Sequence, residues 1–244
     1  MEDLKSQAVK RFERLWEIEG GKLLNAGIVP SVMENGEICP IDYCISTIAR
    51  LIQQPQGGGL VCGIRSALSD LFEAADTQFI YPDESLHVSL LGCTQRQKTN
   101  EFDCERINKI KDVCVQEIKK AEPAEILLKG VGIVGNQIFI QGIPLNRNWE
   151  TLRMSLEKGL VNVGEKPISY EDKSPIHMNL IRIVNADPAR MAALHRVMSQ
   201  LRDIELGTVR LPAIEYVITD FCVSKKNVVW IDRIECCGSP VYFS

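Results

Sequence analysis

Leu86-His87-Val88-Ser89-Leu90 and Ile176-His177-Met178-Asn179-Leu180 repeat one device: a histidine, a large apolar residue, then a small polar residue. Side chains on a β-strand alternate between faces, so His87 and Ser89 point one way while Leu86, Val88 and Leu90 point the other. His177 and Asn179 stand in the same relation to Ile176, Met178 and Leu180. The chain has 3 histidines, and two of them sit in this context. The third, His195, lies in a helical stretch between Arg190 and Arg196 and reads as a helix-surface residue.

Outward from these stretches, helices and strands alternate in a loosely duplicated order. Residues 3–19 read as an amphipathic helix, with Leu4, Ala8, Phe12, Leu15 and Trp16 on one side and Gly20-Gly21 as its stop. Leu23–Pro40 reads as connecting structure. Tyr43–Ile52 has the β-branched content of a strand, and Leu60–Ala75 has the spacing of a helix. Tyr81–Glu84 is an expected turn. Helices over Glu105–Ala121 and Trp149–Leu160 flank a strand pair, Ile126–Gly130 and Gln137–Gln141. Pro188 opens a further helix. Val209–Val223 and Val228–Glu235 close the chain as two strands. The connections are too irregular for a parallel βαβ array, so the expected class is α+β with mainly antiparallel sheets.

With 244 residues the chain can bury a sizeable core. Its net charge is −4, from 32 acidic and 28 basic residues, and no basic stripe appears. This weighs against a partner such as a long duplex and leaves room for a nucleotide or a short RNA end. No apolar run approaches a membrane span. The 9 cysteines include no Cys-x-x-Cys, their number is odd, and no signal peptide is recognisable. Reduced thiols in a cytoplasmic protein are therefore expected, rather than zinc or disulfides. Gly57-Gly58-Gly59 lacks the spacing and lysine of a phosphate loop. The oligomeric state is not legible.

The histidines are far enough apart in sequence for each to belong to its own sheet. If two sheets face each other, two imidazoles can flank one phosphorus centre. Histidine exchanges a proton near neutrality, so one ring can activate a hydroxyl or water while the other protonates the departing oxygen. Ser89 and Asn179, sharing the histidines' faces, can donate hydrogen bonds to non-bridging phosphate oxygens. The scheme needs no metal or other cofactor. Tyr81, just before the first stretch, is placed where an aromatic ring could stack on a base.

The two stretches resemble the paired motifs of the two-histidine (2H) phosphoesterase superfamily. His87-Val88-Ser89-Leu90 followed by Gly92 is similar to its His-x-Thr/Ser-Leu…Gly, and His177-Met178-Asn179-Leu180-Ile181-Arg182 to its His-x-Thr-Leu-x-Arg. The resemblance implies a bilobal, pseudo-symmetric fold with two mainly antiparallel sheets facing a central groove and helices outside. It covers residues 41–244, leaving 1–40 as an N-terminal helical extension and connector. It implies His87 and His177 as the catalytic pair, and Ser89, Asn179 and Arg182 as phosphate ligands. Arg182 lies five residues beyond His177, which is the opposite face of an ideal strand. Activities in the family include opening of 2′,3′-cyclic phosphates, cleavage of 2′,5′-linked oligonucleotides, and the reverse ligation. Asn179 departs from the usual hydroxyl residue. It keeps open a second reading, a catalytically weak nucleotide-binding module of the same fold.

Overall fold

The structure, a computed structural model, describes residues 4–25, 27–168, 175–220 and 222–238. Residues 239–244, the end of the expected domain, lie outside them. Helix α1 (Leu4–Leu24) is followed by a hairpin of β1 (Val32–Glu34) and β2 (Glu37–Cys39). Strand β3 (Tyr43–Arg50) leads to α2 (Gly57–Ala67), α3 (Ser69–Ala74), the short β4 (Phe79–Ile80) and β5 (His87–Gly92). Next come α4 (Cys104–Lys120), β6 (Ala124–Val134), β7 (Gln137–Pro144) and α5 (Asn148–Asn162). The chain continues through β8 (His177–Arg182), α6 (Pro188–Gln200), β9 (Glu205–Leu211), β10 (Ala213–Asp220) and β11 (Trp230–Glu235).

Among the described residues, β1 and β2 pair only with each other. The remaining strands form one antiparallel sheet in the order β11-β10-β3-β5-β8-β7-β6-β9, with β4 also paired to β8. The two sheets expected from the sequence are the two four-stranded halves of this one. They meet where the histidine strands β5 and β8 adjoin.

Pro212 explains the curvature. The stretch expected as one strand over Val209–Val223 is instead β9 and β10, with Pro212 between them. Proline cannot donate to a ladder, so it ends one strand and frees the chain to join another. In the sheet order β9 and β10 are six strand steps apart. At about 4.8 Å per step they would be roughly 29 Å apart in a flat sheet. Two consecutive Cα–Cα steps reach only about 7.6 Å. The sheet must therefore curl until its ends approach each other.

Helix α4 packs on the face opposite the histidines. Glu215 pairs with Ile48, and Ile48 with Ser89, so these three share the histidine face, while Tyr216 falls on the other. The Tyr216 hydroxyl donates to the Ile107 carbonyl of α4 at 3.0 Å. Asp103 caps α4 by accepting from the Arg106 backbone N–H at 2.8 Å, and α5 packs alongside.

Helix α1 lies elsewhere, against β6, β7 and α6. Its Phe12 is buried 6.1 Å from the Phe139 ring, and Phe139 pairs with Asn179, so α1 covers part of the histidine face of the second half. The helix runs past its expected stop to Leu24 because Gly20 is a packing residue. A Cβ there would come within 2.9 Å of the Trp16 ring, which stacks at 5.5 Å on His195. His195 thus contacts the N-terminal helix.

Candidate active site

Val88 pairs directly with Met178 across the seam between β5 and β8. Both are buried, and they are the central residues of the two repeated stretches. Antiparallel register then sets His87 opposite Asn179 and Ser89 opposite His177, all on one face. The histidines stand on a diagonal, for which about 7–8 Å between strand positions is typical. A local two-fold relation passes through the Val88–Met178 pair.

The imidazoles are oriented by matching bonds. His87 Nδ1–H donates to the Ser85 carbonyl at 2.7 Å, and His177 Nδ1–H donates to the Pro175 carbonyl at 2.8 Å. A carbonyl only accepts, so the proton of each neutral ring is held on Nδ1 and the lone pair stays on Nε2. Phe139 packs edge-on against His177 at 5.3 Å. Burial pushes both histidine pKa values down, and for His87 the neighbouring His177 adds to the effect.

A symmetric irregularity completes the arrangement. Thr47 pairs with Leu91 and Ile48 with Ser89, leaving Leu90 as an extra residue in β5. Ile138 pairs with Ile181 and Phe139 with Asn179, leaving Leu180 as the extra residue in β8. Each bulge lies three positions after its histidine and shifts the strand by one residue. The shift carries Arg182 onto the histidine face, against the parity of an ideal strand. Gly92 holds the corresponding place in β5, where a Cβ would come within 2.8 Å of the Ile168 side chain.

The chain is 25% identical over 152 residues to an RNA 2′,3′-cyclic phosphodiesterase of Methanothermobacter thermautotrophicus, spanning 60% of this chain and 76% of that protein. TT0787 of Thermus thermophilus superposes with a TM-score of 0.53 at 14% identity, over 80% of this chain and 99% of that one. LigT of E. coli in complex with 3′-AMP gives 0.51 at 11% identity, over 80% and 96%. No family model matches the chain. This is the two-histidine phosphoesterase fold.

In this chain the two histidine strands face a groove of about 530 Å³. His87, Ser89, His177, Asn179 and Arg182 all line it. Arg96, in the polar loop after the first histidine strand, lines it too, as do Asn136 and Gln137, which were not selected from the sequence. Asn136 was legible only as part of the turn between two strands. The Asn179 Oδ1 atom is buried without a hydrogen-bond partner, which leaves an acceptor unsatisfied. Beside His87, Arg50 makes two 2.7 Å bonds to the buried carboxylate of Glu215, so their charges offset near the ring. No group of three or more His, Cys, Asp or Glu side chains among the described residues is arranged to hold a metal.

Tyr81 corrects an expectation. It is 1% exposed and does not line the groove, so it cannot stack on a base. Its hydroxyl accepts from Arg182 Nε at 3.3 Å and Nη2 at 3.1 Å, while Asn136 Oδ1 accepts from Nη1 at 3.4 Å. Burial pushes the Tyr81 pKa up, so the hydroxyl stays protonated beside a charged guanidinium. Tyr81 is a support for Arg182. Tyr81→Phe removes a buried acceptor, at a cost of about 1–3 kcal/mol. We expect a lower melting temperature together with a raised KM for a phosphate ester. An unchanged KM would limit Tyr81 to a packing role.

Proposed function

We propose that this chain is a phosphodiesterase that opens 2′,3′-cyclic phosphates of nucleotides or short RNA ends, using His87 and His177 as general base and general acid. The observation that carries this reading is the pair of Nδ1-anchored imidazoles related by the Val88–Met178 pairing. One Nε2 takes a proton from water as its oxygen bonds to phosphorus. The other delivers a proton to the ribose oxygen as its bond to phosphorus breaks, leaving a phosphomonoester and a free hydroxyl. Each ring ends the cycle in the other's starting state, and proton exchange with solvent resets both.

Ser89, Asn179 and Arg182 are suited to hold the non-bridging oxygens, where charge accumulates in the transition state. The guanidinium offers planar paired donors that match phosphate. The name of the M. thermautotrophicus relative and the 3′-AMP complex of LigT support a nucleotide-sized phosphate ester as the substrate class. The unpaired Asn179 Oδ1 favours a ligand that brings a donor, such as a ribose hydroxyl.

The test is incubation with each of the four nucleoside 2′,3′-cyclic phosphates in the presence of a chelator. Conversion to monophosphate is the expected outcome. Binding of a 3′-nucleotide with no conversion of any cyclic phosphate would favour the binding-module reading instead.

A further inference from the structure

The hairpin β1–β2 belongs to neither half of the sheet, yet it stands over the groove. Pro30, Val32, Ile38 and Pro40 line that groove together with the histidines and Arg182. The hairpin is fastened on both sides of the seam. On the second half, the Ser31 N–H donates to the Ile183 carbonyl at 2.9 Å, and Asn136 Nδ2 donates to the Val29 carbonyl at 3.1 Å and to Ser31 Oγ at 3.0 Å. On the first half, the Glu37 carboxylate accepts from Asn227 Nδ2 at 3.2 Å and pairs with Lys226 at 3.1 Å, both in the loop between β10 and β11.

The hairpin is also stiff. Asn35 and Gly36 both have positive φ, 52° and 79°, as a two-residue turn of the kind that suits twisted strands requires. Ile38 is buried in the core and anchors it from below. Every residue of β1 is nevertheless exposed, and Val32 is 59% exposed. A preformed strap thus carries an uncovered apolar side chain on a groove whose floor is polar and cationic.

We infer that residues 28–40 form the nucleoside-side wall of the groove, with Val32 a specificity residue that packs against the base or ribose of a nucleotide whose phosphate lies between the histidines. This rests on the function proposed above. The fit is one of complementary chemistry: a nucleotide joins an anionic group to a flat ring with apolar faces, and the groove joins cationic and polar donors to an apolar wall. Its volume lies within the range of small-molecule sites, about 300–1,000 Å³.

The test uses the full chain with Val32→Ser and Val32→Trp, at a side chain exposed enough that folding is spared. For a nucleoside 2′,3′-cyclic phosphate, Val32→Ser should raise KM about tenfold, the worth of one buried valine side chain, with kcat held. Val32→Trp should lower KM, because an indole stacks on bases. Inhibition by inorganic phosphate should be the same in all three proteins, since phosphate alone does not reach the wall. A KM unmoved by both substitutions would overturn the inference, as would a parallel change in phosphate inhibition. If the parent protein turns over no substrate, the proposed function fails, but the wall is still read out by dissociation constants for 3′-AMP and inorganic phosphate. There a weaker 3′-AMP affinity in Val32→Ser supports it, and equal affinities reject it.

Discussion

If the proposed chemistry holds, His87→Ala and His177→Ala should each lower turnover of a 2′,3′-cyclic phosphate by about a hundredfold to ten-thousandfold, the usual worth of a positioned general acid or base. Because the rings act on the same phosphorus, the double variant should fall little further than either single one. Steady-state kinetics at saturating substrate is the measurement, with the melting temperature recorded beside it. Turnover that survives in either variant would remove that ring from the chemistry.

The same pair sets a pH dependence. Burial lowers both histidine pKa values, so both free rings are neutral near pH 7. Binding an anionic phosphodiester favours the charged imidazolium, so one ring should gain a proton as substrate enters. The acid limb of kcat/KM should lie below the ordinary histidine value of about 6.5. Folding follows the same sign. The unfolded chain takes up protons below about pH 6.5 that the folded rings refuse, so stability held above that pH is lost as the pH drops toward the folded values. Each alanine variant should shed part of this acid sensitivity.

Arg182→Ala is expected to cost about a hundredfold to a thousandfold in kcat/KM, comparable to losing a donor that faces developing charge. Arg182 is 7% exposed and its guanidinium is held by Tyr81 and Asn136, so it reaches the groove already oriented. Arg182→Lys should recover only part of the loss, because an ammonium keeps the charge but not the planar fork. A fall in stability without a fall in kcat/KM would make Arg182 a structural residue. The two outcomes separate cleanly.

Much of this was visible in the residues and some was not, for identifiable reasons. The alternation around His87 and His177 gave their strands and their shared face with Ser89 and Asn179. The bulges escaped a strict period of two. Leu90-Leu91 and Leu180-Ile181, each two buried apolar residues in a row after a polar one, were the available signal. Reading them would have turned Arg182 toward the histidines. Asn35-Gly36 is a strong hairpin signature, but β1 and β2 are so short that the segment looked like plain connection. Gly20-Gly21 misled in the other direction, because a glycine that makes room for Trp16 has the composition of a helix stop. Tyr81 was misplaced because sequence proximity to a site does not say whether a ring stands in front of it or behind. Pro212 marked the end of a strand, but only the pairing partners of β9 and β10 reveal that the chain changes halves there.

In the proposed site one phosphorus centre sits between the two Nε2 atoms. A crystal structure with 3′-AMP bound tests it most directly. The predicted result is a phosphate with oxygens within hydrogen-bond reach, about 2.6–3.2 Å, of Nε2 on both His87 and His177. A phosphate seated elsewhere, or touching one ring while the other faces away, would contradict it.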